Sequence, residues 1–239
     1  YWTLDERKVS KSLGNMVSPL AMQERYGFEL FRYFLLREMS FGLDAAFSEA
    51  ALALRVNADL ANNLGNLVSR TLNLIEKLCG GVIPQPGEAG GAERSLEAEA
   101  VAAAGGVEAA MAELRFHDAL GAIIGYSGAV NRYIDGQAPW KAVKQPGGEA
   151  VVRTSLHHAA HHIRRIAELL APFVPGLSQE IARRVGEPGG RVVKGESLVP
   201  RLEAPLAAVS LGEGTQHVVL GIGSDGSLHR FRHDRAGAD

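Results

Sequence analysis

One long amphipathic segment constrains the fold of this chain more than any other feature. Ser48 is suited to cap a helix that begins at Glu49, and Gly80-Gly81 is suited to end it after Leu78. Within the segment, apolar side chains mostly recur every three or four residues, the spacing of one buried stripe on a helix. These positions are Val56, Leu60, Leu64, Leu67, Leu74 and Leu78. The pattern predicts a helix of about 30 residues with one face in a core.

Helices are also predicted on both sides of that segment. Ser18-Pro19 begins one that ends before Gly27. The other predicted ranges are 28–37, 96–114, 118–134 with a break at Gly136 and a restart at Pro139, 149–170, and a shorter helix to Val185. The fold class is therefore mainly α, an antiparallel helix bundle with short connections. We expect three parts. Residues 1–47 hold a short strand at 1–4 and a polar loop, and residues 48–186 form the bundle. Residues 187–239 are a poorly structured extension or a short β-hairpin, in which Val192-Val193 and 217–220 look strand-like.

Composition narrows the classes of function. Lys and Arg number 25 against 27 Asp and Glu, for a net charge of −2, so RNA binding would need a local stripe of positive charge. A single cysteine excludes an internal disulfide and a multi-cysteine zinc site and fits a reducing, cytoplasmic location. We expect no membrane span, no membrane partner and no signal peptide, and the start at Tyr1 suggests a piece of a longer protein.

The sequence KVSKSLGN at residues 8–15 predicts a polar loop, which we call the lysine loop. Lys8 and Lys11 stand three residues apart, with Ser10 and Ser12 beside them, and such a loop offers ammonium, hydroxyl and backbone N–H groups to a polyphosphate. A solvated basic turn is the alternative for any isolated pair of lysines at this spacing.

A polar stripe follows the predicted long helix. Its members, spaced three or four residues apart, are Asp59, Asn62, Asn66, Arg70, Asn73 and Lys77. This stripe is either the solvent face of an amphipathic helix or a surface that reads unpaired RNA bases, since amide and guanidinium groups make paired hydrogen bonds with base edges. Asparagine is a poor helix former, which favours the second interpretation.

Residues 137–141 place a tryptophan next to a proline at a helix start. Trp140 either offers a ring on which a base stacks or is buried between two helices.

Taken together, these motifs resemble the methionyl-tRNA synthetase family of class I aminoacyl-tRNA synthetases. The octapeptide at 8–15 resembles the KMSKS signature of class I enzymes, with Val9 in place of methionine. Residues 57–70 (NADLANNLGNLVSR) are similar to the helix of this family that faces the anticodon, and residues 131–141 (NRYIDGQAPWK) are similar to its second anticodon segment. The resemblance runs from about residue 1 to 203.

The resemblance implies a set of roles. Lys11 would be the catalytic lysine that stabilises phosphate charge in the transition state, and Lys8, Ser10, Lys11 and Ser12 would bind ATP, which acts with Mg. Asn66, Arg70 and Trp140 would contact the CAU anticodon of tRNA(Met), chiefly its first base. The intact enzyme would form methionyl-adenylate from ATP and methionine and then charge the tRNA.

The H-I-G-H motif, methionine pocket and zinc-binding insert of the family are not found in these 239 residues. We therefore expect tRNA binding without adenylate formation from this chain alone, and no metal site within it. Two alternatives remain: a non-catalytic tRNA-binding or scaffold protein with the same bundle, or another class I synthetase.

Three weaker patterns are set aside. Gly221-x-Gly223-x-x-Gly226 has the spacing of a dinucleotide fingerprint but lacks a following helix, so a hairpin turn is preferred. Four histidines at 157, 158, 161 and 162 have metal-binding spacing without a third ligand motif, so a helix face of titratable histidines is preferred. Cys79 is interpreted as a small apolar residue at a helix end.

Overall fold

The computed structural model describes residues 2–4, 7–8, 17–40, 43, 45–203, 218–222 and 228–232, and most of them are helical. The helices are α1 Pro19–Tyr26, α2 Phe28–Glu38, α3 Glu49–Val56, a π-helical segment Asn57–Gly65, α4 Asn66–Cys79, α5 Gly91–Ala112, α6 Phe116–Gln137, α7 Pro139–Ala142, α8 Gly148–Leu170 and α9 Pro175–Val185. The strands are β1 Trp2–Leu4, β2 Arg7–Lys8, β3 Ala45–Ala46, β4 Val218–Ile222 and β5 Leu228–Arg232. The prediction of a mainly α-helical bundle is confirmed.

The amino-terminal part joins a small sheet to two helices. Strand β1 lies between β2 and β3, antiparallel to β2 and parallel to β3. The Ser18 side chain accepts a hydrogen bond from the Ala21 N–H and caps α1, as predicted. Gly27 separates α1 from α2 with φ of +81°, a conformation that favours glycine.

Helix α2 is fastened to the carboxyl-terminal end of the bundle. The Glu29 carboxylate accepts hydrogen bonds from the N–H groups of Gly176 and Leu177, at 2.6 and 2.8 Å, in the first turn of α9. Arg32 donates to the Pro172 carbonyl at 2.9 Å, just before the same helix. These contacts join parts of the chain that lie about 140 residues apart.

The long amphipathic segment forms three consecutive helical pieces. Ser48 caps α3 through the Ala51 N–H, and Gly80 ends α4 in the left-handed conformation, so both predicted ends are confirmed. Between them the π-helical segment Asn57–Gly65 was not predicted. Its wider turn carries the carbonyl of Leu60 to 3.0 Å from where a Cβ on Gly65 would lie, so a larger residue at 65 would be crowded.

Helix α6 occupies the middle of the bundle and packs against α2, the π-helical segment, α5 and α8. Its core side chains include Leu120, Ile123, Val130 and Ile134, all fully buried. The predicted break at Gly136 is wrong, since α6 continues to Gln137 and the chain turns at Ala138. Proline in the next position removes an N–H donor and disfavours a continued helix there.

Helix α5 begins at Gly91, five residues before the predicted start. The Glu93 side chain accepts from the Gly90 N–H at 2.7 Å and from the Tyr133 hydroxyl at 2.7 Å, which satisfies an otherwise free donor and ties the helix start to α6. Gly105 and Gly106, both poor helix formers, lie within this helix and do not interrupt it.

After α9 the chain crosses back over the bundle. Val192 and Val199 are buried in the same core as the helices. The strand-like interpretation of Val192-Val193 is wrong, because only an isolated bridge between Val82 and Arg191 forms there. Farther on, β4 and β5 pair antiparallel with Gly221 opposite His229, so Gly221 lies in a hairpin strand.

Candidate anticodon-binding groove

A polar groove of about 780 Å³ lies between the long helix and α6, and we call it the asparagine groove. It is lined by Asn62, Asn63, Asn66, Ser69, Arg70, Asn73, Leu74, Lys77, Gly128, Asn131 and Asp135. Five of the six residues of the predicted polar stripe therefore share one surface, as the helical spacing indicated.

Asp59, the sixth member of that stripe, was wrongly predicted to lie there. It is 7% exposed and accepts a hydrogen bond from the buried Tyr33 hydroxyl at 2.9 Å, with Arg37 Nε 3.3 Å away. The π-helical segment explains the difference, since its wider turns change the rotation between residues 59 and 66 from that of a uniform α-helix. Burial, together with the negative charge of Asp59, raises the pKa of Tyr33 well above its usual value.

Arg70 is held at the side of the groove by α6. One terminal nitrogen, Nη1, donates to Asp135 Oδ1 at 2.6 Å. The other, Nη2, donates to both the backbone oxygen and Oδ1 of Asn131, at 3.3 and 3.1 Å. A guanidinium group has about five N–H donors, so these three contacts with described residues leave donors for a ligand. The Arg70 side chain is 34% exposed, which makes it accessible from the groove.

Three polar side chains behind Arg70, of which Ser127 is buried and Asn63 and Asn131 are half-buried, form a hydrogen-bond network. Ser127 Oγ donates to Asn63 Oδ1 at 3.0 Å, and Asn131 Nδ2 donates to the same oxygen at 3.1 Å. Asn63 Nδ2 in turn donates to the Ile124 carbonyl at 3.2 Å. No role for these residues was predicted, although the spacing of Ser127, Asn131 and Asp135 at every fourth position of α6 places them on one face.

The other two predicted anticodon residues differ in exposure. Asn66 opens α4 and is exposed at the groove. Trp140 is half-buried and packs against the hydrophobic core, and the residues lining the groove do not include it. Ala138, two residues earlier, has φ of +41°, an unfavourable conformation for a residue with a Cβ. It turns the chain sharply between Asp135 and Trp140.

One further cation reaches the groove from the carboxyl-terminal segment. Arg201 donates to Asn62 Oδ1 at 2.7 Å and is exposed. Leu202 next to it is fixed by two hydrogen bonds with the Asn57 amide, at 2.8 and 2.9 Å. Nothing in the local sequence around 201 indicated this contact, because it joins residues 139 positions apart.

The lysine loop is described only at its edge. The backbone of Lys8 belongs to β2, where it pairs with Thr3. Ser10, Lys11 and Ser12 lie outside the described residues, and so does the side chain of Lys8. Their assignment to ATP remains a prediction.

Of the four histidines on α8, only His162 is fully buried. His162 is 0% exposed, its Nδ1 contacts the Tyr126 hydroxyl, and its Nε2 lies 3.9 Å from Glu97 Oε2. Burial, reinforced by His161, lowers the pKa of His162 to about 3, so the ring is neutral at physiological pH. Within the described residues, no group of three or more His, Cys, Asp or Glu is placed to hold a metal ion.

Cys79, at the end of α4, is half-buried, and burial raises the pKa of its thiol.

Two protein families match this chain, one over its amino-terminal part and one over most of the helical bundle. Residues 1–72 match the family described as tRNA synthetases class I (M), and residues 83–203 match the anticodon binding domain of methionyl tRNA ligase. The fold and the groove thus define a part of a class I aminoacyl-tRNA synthetase that carries an anticodon-binding domain. The chain belongs to the methionyl-tRNA synthetase family.

Individual relatives agree with this assignment. The chain is 44% identical over 184 residues to a methionine–tRNA ligase of Mesorhizobium japonicum, covering 77% of this chain and 35% of that protein. It is 37% identical to one of Caldanaerobacter subterraneus, covering 89% of this chain and 36% of that protein. The structure of Mycobacterium tuberculosis methionyl-tRNA synthetase in complex with methionyl-adenylate superposes with a TM-score of 0.76 at 34% identity, covering 84% and 43% of the two chains.

The chain thus spans about a third of the length of these curated relatives. No helix among the described residues is long and apolar enough to cross a membrane.

Proposed function

We propose that the intact protein is a methionine–tRNA ligase that charges tRNA(Met) through methionyl-adenylate and that this chain supplies two of its parts. The first part is the lysine loop, in which Lys11 stabilises the negative charge that grows on the phosphates of ATP, with Mg, during adenylate formation. Lys8, Ser10 and Ser12 bind the same phosphates. Membership of the family supports this proposal. A cytoplasmic location is proposed with it, from the single cysteine.

The second part is recognition of the anticodon in the asparagine groove. The observation that carries this proposal is the position of Arg70, which is oriented by α6, is partly exposed and keeps unused donors beside the exposed amide of Asn66. Guanidinium and amide groups read base edges through paired hydrogen bonds, and unpaired bases of an RNA loop can reach such groups. Trp140 would offer the exposed part of its ring for stacking on a base.

Binding to altered tRNAs tests this recognition. The chain should bind tRNA(Met) more tightly than the same tRNA with its first anticodon base changed, and Arg70→Gln or Trp140→Ala should each reduce that preference by more than about 1 kcal/mol. Arg183→Gln is the matched control, because Arg183 is an exposed arginine on α9 paired with Glu180. Equal binding of the wild-type chain to all anticodons would refute the proposal.

Exchange of pyrophosphate into ATP tests the catalytic part. The full-length protein should show methionine-dependent exchange, Lys11→Ala should lower it strongly, and the present chain alone should show none. Exchange by the isolated chain would contradict the assignment of roles. A full-length gene without an upstream H-I-G-H motif would favour the non-catalytic tRNA-binding or scaffold alternative.

A further inference from the structure

The orientation of Arg70 depends on two partners of different character. Asp135 provides a charged partner, but its side chain is 59% exposed, and an ion pair so open to water contributes little and tolerates many geometries. Asn131 is half-buried and accepts the other two hydrogen bonds, the shorter one at its side-chain Oδ1 (3.1 Å) and the longer one at its backbone oxygen (3.3 Å). The directional part of the restraint on the guanidinium therefore comes from Asn131.

Asn131 is itself fixed by the residues behind it. Its Nδ2 donates to Asn63 at both the backbone oxygen and Oδ1, and to the Ser127 carbonyl, at 3.1 to 3.3 Å. Asn63 cannot rotate in response, because its own Nδ2 donates to Ile124 and its Oδ1 also accepts from Ser127. The amide nitrogen of Asn131 thus points into the helix interface, and its oxygen points at Arg70.

These contacts form a chain of hydrogen bonds from the core to the groove, in which each residue accepts from the next one. Ile124 accepts from Asn63, Asn63 accepts from Asn131, and Asn131 accepts from Arg70. Each side-chain amide uses its nitrogen on the core side and its oxygen on the groove side. Reversing one amide would place oxygen against oxygen or nitrogen against nitrogen, so each amide has one favourable orientation in this chain of hydrogen bonds.

We propose that Asn131 is a positioning residue for anticodon recognition, which it serves by holding the guanidinium of Arg70 in the orientation that presents its unused N–H groups to the first anticodon base. The inference rests on the proposed function of the groove. A guanidinium that rotates freely can still attract RNA phosphates, whereas bidentate reading of a base edge requires a fixed plane. Loss of Asn131 should therefore reduce discrimination between bases more than it reduces binding to RNA.

Asn131→Ala tests the inference in the full 239-residue chain. The quantity to measure is the ratio of the dissociation constant for tRNA(Met) with its first anticodon base changed to that for unaltered tRNA(Met). We expect this ratio to fall about tenfold in the variant. In Arg70→Gln/Asn131→Ala the ratio should be no lower than in Arg70→Gln alone, because Asn131 acts through Arg70.

Asn57→Ala is the matched control. It removes both side-chain hydrogen bonds of a half-buried asparagine on the long helix, and those bonds hold Leu202 and not Arg70. In urea denaturation both variants should lose stability, Asn131→Ala more because it removes four side-chain hydrogen bonds and Asn57→Ala removes two, whereas only Asn131→Ala should change the ratio. A merely structural role would lower affinity for both tRNAs together and leave the ratio unchanged.

Nuclear magnetic resonance of arginine side chains gives a second measurement that needs no RNA. In the wild-type chain the Nη groups of Arg70 should rotate slowly, and in Asn131→Ala they should rotate faster, because only the longer bond to the backbone oxygen of residue 131 and the exposed contact with Asp135 remain. An unchanged ratio or an unchanged Arg70 signal in a folded Asn131→Ala variant would overturn the inference alone. A wild-type chain that does not discriminate between the tRNAs would overturn the proposed function as well.

Discussion

The buried neutral His162 makes stability depend on acidity in a defined window. In the unfolded chain a histidine binds a proton with a pKa of about 6.5, whereas in the folded chain the pKa is lowered to about 3 by burial and by neighbouring positive charge. The unfolded state therefore binds the proton first, and the free energy of unfolding falls as the pH falls below the unfolded value. Stability from this residue is fully present above that value and is lost progressively toward the folded pKa.

The size of the effect follows from that difference. Between about pH 7.5 and pH 5, linkage gives a loss of about 2 kcal/mol from His162. Because the folded pKa lies well below this range, the loss at the lower pH is determined almost wholly by the unfolded value. Burial lowers the pKa of His158 and His161 as well, so the wild-type chain should lose somewhat more than His162 alone accounts for.

Urea denaturation followed by circular dichroism measures this loss at each pH. His162→Gln removes the titrating group and should lose about 2 kcal/mol less than the wild-type chain over the same pH range. Ile163→Val is the matched control, since this fully buried neighbour should cost about 0.5–1.5 kcal/mol at every pH and leave the slope unchanged. Equal pH slopes for the wild-type chain and His162→Gln would refute the reasoning.

Two further predictions concern the connections between elements. Glu29→Ala should lower the free energy of unfolding by about 1–2 kcal/mol, because the N–H of Gly176 and its neighbour in α9 lose their acceptor, while the exposed Glu24→Ala should change it by less than about 0.5 kcal/mol. Equal effects in urea denaturation would contradict a capping role. Ala138→Gly should stabilise the chain by up to about 1 kcal/mol by removing a Cβ from a left-handed conformation, whereas Ala150→Gly within α8 should destabilise it by about 0.5–1 kcal/mol. A lower melting temperature for Ala138→Gly would show that no strain is stored there.

Helix boundaries followed from the sequence where the signal is local. Ser18 and Ser48 cap the helices that they were predicted to cap, and Gly27 and Gly80 end helices through conformations that favour glycine. Ala138 shows the limit of that reasoning. A break was expected at the nearby glycine, but the following proline determines where the helix ends.

The candidate site was only partly predictable because part of it is tertiary. Arg70 and Asn66 could be placed on one face from their spacing in a single helix. The role of Asn131 depends on which face of α6 meets that helix, and the contact joins residues 61 positions apart. The displacement of Asp59 was not predictable either, since a uniform helical period was assumed through a segment that is π-helical.

The π-helical segment also limits which changes of length the long helix can accept. The turns between Asp59 and Gly65 are already wide, so one residue inserted there could not be taken up by further widening and would rotate everything on one side by about 100° relative to the other. Asp59 makes its buried contacts on one side, and Arg70 makes its contacts with α6 on the other. A helix lengthened in this way could keep one of these sets of contacts in register but not both. The length of the chain between the two surfaces is therefore constrained against insertion, whichever residues occupy it.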